Sequence, residues 1–120
     1  MVVAIASTIV IAAVALLHLY FLVLEMFLWD KPAGLRAFRQ TLEAARASKT
    51  LAANQGLYNG FLAAGLIWGM SLGSAGAAIK IFFLGCVVIA GVFGAATVGR
   101  RILFIQALPA AAGLLFVIFT

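Results

Sequence analysis

Two side chains capable of acid–base chemistry, His18 and Glu25, lie seven residues apart within a stretch of 28 residues, 2–29, that contains no other formally charged group. Seven residues are close to two helical turns, so both fall on one face of a helix. A carboxyl group in so apolar a stretch is expensive. It normally faces a protein interior, a partner group or water, and it marks a functional-site candidate. With a histidine on the same face, two chemistries are open: exchange of a proton between acid and base, and capture of a cation or cationic ligand.

Further polar groups gather at similar depth. Counted from Trp29 at about 1.5 Å per residue, Glu25 lies roughly 6 Å into the first apolar segment and His18 roughly 16 Å. Counted from Thr50, Asn54 and Gln55 lie about 6–8 Å deep and Tyr58 and Asn59 about 12–14 Å. Gln106 lies about 8 Å from Arg101. These residues define one expected polar slab: His18, Glu25, Asn54, Gln55, Tyr58, Asn59 and Gln106. The opposite halves of the apolar segments contribute almost no polar groups.

Other chemistries find little support. One histidine and one glutamate, with no second His or Cys at helical spacing, do not make a zinc site, so no metal is expected. No Ser or Thr lies plausibly beside His18 as a nucleophile, and Cys86 is displaced in depth from Glu25. Cys86 is the only cysteine in the chain, which excludes an internal disulfide, and it reads as a small packing residue. No glycine loop suits a nucleotide phosphate, and no cofactor is implied.

The elements that must position the slab follow from composition. Of 120 residues, 67% are hydrophobic and 9% charged. That is too little polar surface for a water-soluble domain, but it suits a chain covered by lipid. Four apolar segments, at about 2–29, 51–72, 75–98 and 102–120, each approach the roughly 20 residues that span a bilayer as a helix. The alternating segments of about ten residues expected of a membrane β-barrel are absent. The first segment lacks a basic start and carries His18 and Glu25, so it reads as a retained helix rather than a signal peptide. The expected fold is therefore all-α: one domain over 1–120, a polytopic membrane protein built as a four-transmembrane-helix bundle.

The net charge of +5 becomes informative once its charges are placed. Lys31, Arg36, Arg39, Arg46 and Lys49 separate segments one and two, and Arg100 and Arg101 separate segments three and four. Lys80 alone lies at the other end. Seven of the eight basic residues thus share one side, which the positive-inside rule makes cytoplasmic, with both termini outside. The basic excess expresses topology and implies no nucleic-acid partner. A bacterial inner (plasma) membrane is the expected location.

Between segments one and two, Pro32 and Gly34 interrupt the helix. Leu35, Phe38, Leu42 and Ala45 then recur at helical spacing, opposite Arg36, Arg39, Glu43 and Arg46. This predicts one short amphipathic helix over about 35–48 on the cytoplasmic surface, with Arg39 and Glu43 as an i,i+4 pair. In the second segment Asn54, Tyr58, Leu62, Gly65 and Gly69 form one stripe, with Gln55 and Asn59 at its edge. Ala53, Gly56, Gly60, Ala63 and Ala64 form the opposite one. The small-residue stripe is expected to pack tightly and the amide stripe to face Glu25. Gly65, Gly69 and Gly73 extend the small-residue pattern, Ala90, Gly91, Gly94 and Ala95 form a comparable face in the third segment, and a homo-oligomer, as a dimer, is expected through one of these two glycine-lined faces. Pro109 cannot donate to the carbonyl of Ile105, which leaves a further acceptor beside Gln106.

The polar segments resemble a family of small four-helix membrane proteins known as domain of unknown function 1304. The resemblance rests on Leu17-His18-Leu19-Tyr20 through Leu24-Glu25-Met26-Phe27-Leu28-Trp29, and on Ala53-Asn54-Gln55-Gly56-Leu57-Tyr58-Asn59-Gly60. Phe82-Phe83-Leu84-Gly85-Cys86-Val87 and Gln106-Ala107-Leu108-Pro109-Ala110 extend it over nearly the whole chain. It implies an integral membrane bundle and supports the polar residues as a set, but supplies no activity.

The leading functional expectation is binding or transport of a small amphiphilic or cationic molecule at the cluster around Glu25. The alternatives are an enzyme acting on a lipid-soluble substrate, with Glu25 and His18 as acid and base, and an accessory subunit docking another membrane protein.

Overall fold

Twenty-five residues without a glycine or proline run as one helix, α1 (Val2–Met26), in the computed structural model, which describes residues 1–120. α1 gives way at Phe27–Lys31, where the Lys31 amide turns back to the Leu28 carbonyl, 3.0 Å away. Pro32, whose fixed φ suits a first helical turn, starts α2 (Pro32–Phe38). After it come α3 (Leu42–Ala47), α4 (Lys49–Ser71), a 3₁₀ turn (Gly73–Gly76), α5 (Ala77–Thr97), a π-helical segment (Leu103–Ala107) and α6 (Leu108–Ile118). The chain is all-α, with six α-helices and no strand.

The single helix expected over 35–48 is instead two. α2 closes in a left-handed cap at Arg39 (φ 52°, ψ 49°). The Arg39 amide bonds back to Arg36 and that of Gln40 to Leu35, a pairing that satisfies the last carbonyls of a helix. Two residues later the Thr41 hydroxyl accepts the Ala44 amide at 3.1 Å and caps the start of α3. Arg39 therefore lies outside the helix that carries Glu43. The ion pair of this connection is Lys49–Asp30, at 3.1 Å.

The chain forms two compact units. In one, Met1–Leu16 and Leu62–Thr120, the core is Ile11, Val14, Leu66, Leu84, Val87 and Ala110, each almost wholly buried. Helix approach there depends on glycine: a Cβ at Gly91 would lie 2.6 Å from the Ala107 nitrogen. Pro109 is accommodated in this unit by the π-helical segment before it, where the Leu108 amide reaches five residues back to the Leu103 carbonyl.

The other unit, Leu17–Phe61, holds the end of α1, both short helices and the beginning of α4. Gly34 is buried there, and a Cβ on it would collide with the Leu28 carbonyl oxygen.

Two helical stretches, Val2–Met26 and Gly73–Thr97, are each 25 residues long and apolar enough to cross a membrane. Leu103–Ile118 is apolar but shorter. α4 has the length, and its run of amides at Asn54, Gln55 and Asn59 lowers its apolar character.

Candidate functional site

Glu25 and His18 are both buried in the unit formed by residues 17–61, at 7% and 0% exposure. They lie on one face of α1, as a seven-residue separation requires. Asn59 on α4 donates its side-chain amide to Glu25 Oε1 at 2.5 Å. The His18 ring sets its edge against Phe21, 5.5 Å between centroids at 76°.

Glycine makes this contact possible. A Cβ at Gly56 would come within 2.6 Å of Met26 Cγ and 3.0 Å of Glu25 Cβ, and one at Gly60 within 2.7 Å of Leu22 Cδ1. The small-residue stripe of α4 is therefore the face turned to α1, the reverse of the arrangement expected from the stripe pattern. Asn59 adjoins Gly60 at the edge of that face, and so its amide reaches the carboxyl group. Asn54, Gln55 and Tyr58 are exposed, and Tyr58 rests beside Phe61 with ring centroids 6.1 Å apart. Gln106 is half-buried within the π-helical segment of the other unit. Cys86 is half-buried on α5.

In the same unit a clip ties the end of α1 to the start of α4. Trp29 Nε1 donates to Ser48 Oγ at 3.1 Å, and Ser48 donates to the Ala44 carbonyl at 2.9 Å. Trp29 also packs on Phe38, with ring centroids 4.8 Å apart. Lys49 Nζ donates to Asp30 Oδ2 at 3.1 Å, and this bond, more than any other influence, holds the Asp30 carboxyl below its ordinary value of 3.8. The clip was missed in the sequence. Its signal is an indole N–H at a helix end, which needs an acceptor once partly covered.

The carboxyl group of Glu25 thus has a neutral amide donor and no ion pair. It can bind a cation or a hydrogen-bond donor without first giving up an internal salt bridge. These features define a class: an all-α chain, with helices able to cross a membrane, that buries an acid–amide pair. The chain belongs to the family described as "Protein of unknown function (DUF1304)", which matches residues 12–118. It is also similar to "Uncharacterized protein YpaA" of Lactococcus lactis subsp. lactis (strain IL1403), at 32% identity over 95 residues, 78% of this chain and 80% of that protein. No solved structure matches the chain significantly.

Proposed function

We propose that the chain is a four-span membrane protein that binds, and in its working cycle moves, a small amphiphilic cation at Glu25. The observation that carries this reading is the Glu25 carboxyl itself, buried on an apolar helix and bonded by an amide rather than by a Lys or Arg. Packing alone would be served as well by glutamine, whereas a carboxyl group adds attraction for a positive charge. Asn59 orients that carboxyl and His18 lies on the same face. The exposed polar residues Asn54, Gln55 and Tyr58 of the same unit belong to the proposal as contacts for the ligand's approach. An apolar body with a positive head can partition into lipid and present its charge at this depth.

The test uses the purified full chain in a neutral detergent, with tetraphenylphosphonium as the probe. Saturable binding is expected for the native chain, and Glu25→Gln should weaken it by about tenfold or more, the loss of one charge-assisted interaction. The fold should survive this change, because glutamine keeps the shape and can still accept from Asn59. Equal binding by a folded Glu25→Gln protein would overturn the proposal.

A further inference from the structure

A second polar site lies within the unit formed by residues 1–16 and 62–120. A cavity of about 260 Å³ opens between the start of α1, the 3₁₀ turn, the first turn of α5 and the end of α6. Its polar lining comes from Ser7, Thr8, Gly73, Ser74, Lys80 and Thr120. At roughly 30 Å³ per water, it has room for a handful of waters or one small headgroup.

Three observations converge on the charge of its occupant. Ser7 is 4% exposed, yet its hydroxyl has no hydrogen-bond partner in the protein. Ser7 lines the cavity, so its hydroxyl is open to an occupant and can donate to a ligand or a water there. By contrast, the hydroxyls of Thr8 and Thr120 are bonded to the carbonyls of Ala4 and Phe116 in their own helix turns.

Lys80 is half-buried and donates to the Gly73 carbonyl at 3.0 Å, which leaves two of its three N–H groups for another acceptor. Residues 1–16 and 62–120 contain no Asp or Glu, so the ammonium has no carboxylate side chain to neutralise it in this unit. The third observation is the start of α5. Gly76, at its N-cap, supplies no side-chain cap, and the positive end of the helix dipole adds to the field of Lys80.

We propose that this cavity binds a phosphate group, with Lys80 as the counter-ion and the Ser7 hydroxyl as a donor. Lys80 lies about 5 Å along α5 from its first residue, a depth that lipid phosphates reach. A phospholipid headgroup and free phosphate share this chemistry and are separated by the experiment. The site and its ligand are independent of the proposal for Glu25.

The full chain, purified and delipidated in a maltoside detergent, is titrated with a short-chain phosphatidylglycerol and, separately, with inorganic phosphate, while its Tm is followed. A saturable rise in Tm is expected. Ser7→Ala and Lys80→Gln should each shift the midpoint to about tenfold higher ligand, and Lys80→Arg should retain most of the binding. Glu25→Gln should leave the titration unchanged. A response to phosphatidylglycerol alone assigns the site to a lipid headgroup, and a response to inorganic phosphate as well assigns it to the phosphate group itself. No rise with either ligand overturns the proposal. So does an unchanged midpoint in Ser7→Ala, a variant that removes one oxygen atom and keeps the backbone.

Discussion

Asn59 meets Glu25 because glycine, not an amide, occupies the contact face of α4. Gly56 and Gly60 let the helix backbones approach, and Asn59 stands beside them with its donor within reach of the carboxyl group. Asn59→Ala should therefore lower stability by about 1–2 kcal/mol, the cost of leaving a buried carboxyl without its donor. Asn54→Ala, at an exposed position, should change it by less than about 0.5 kcal/mol. Unfolding of both variants in one detergent checks the contrast, and equal losses would contradict the geometry. The burial of Glu25 was legible, because so costly a residue on an apolar helix has few places to go. The choice of stripe was not. Periodicity divides a helix into faces, but which face meets a given neighbour depends on how closely two backbones can come. The same limit hid the Ser7 hydroxyl, one small side chain in a long apolar segment.

The elements show where sequence spacing misleads. Leu35, Phe38, Leu42 and Ala45 keep helical register across a break, because two short helices can preserve a period that a single helix would also give. The physical signal of the break was Thr41, an N-capping residue inside the supposed helix, with Glu43 in the first turn of α3. The resulting connection is held by its clip, and Asp30 supplies a titratable part of that clip. The Asp30 carboxyl is held low by the hydrogen bond from Lys49, so its contribution is fully present above the ordinary value of 3.8 and is lost as pH falls through the lower folded value. Asp30→Asn should therefore lower Tm at neutral pH, and the gap from the native chain should close as pH is taken below 3.8. A gap that persists in acid would show that the ion pair is not its source. Close packing gives a second prediction, along α5. Gly91→Ala should lose about 1–3 kcal/mol, because a Cβ there meets the Ala107 backbone. Gly85→Ala meets nothing within 4 Å and should gain about 0.5–1 kcal/mol from helix propensity. Thermal unfolding of the two single variants measures both signs.

For the whole molecule, the glycines of α4 bear on association before topology. Gly56 and Gly60 are taken up by Met26 and Leu22, Gly65 by Phe83, and Gly69 by Lys80, each within its own unit. Of the glycines that suggested a dimer face, Gly65 and Gly69 are thus occupied by side chains of their own unit, whereas a Cβ at Gly73 would meet nothing within 4 Å. Topology rests on different physics, the cost of moving basic side chains across a bilayer, and this needs no knowledge of packing. Lys31, Arg36, Arg39 and Arg46 lie between α1 and α4, Lys49 begins α4, and Arg100 and Arg101 lie between α5 and the π-helical segment. If four helices span the membrane, these groups share the cytoplasmic side and the 3₁₀ turn at Gly73–Gly76 faces outward. A Cys86→Ser background removes the native thiol, and single cysteines then report each side. Glu43→Cys, on exposed α3, should resist a membrane-impermeant maleimide in intact cells and react once they are opened. Ser74→Cys, exposed in the 3₁₀ turn, should react in intact cells. Labelling of Glu43→Cys from outside would invert the orientation and would move Lys80, with the cavity it lines, to the cytoplasmic face.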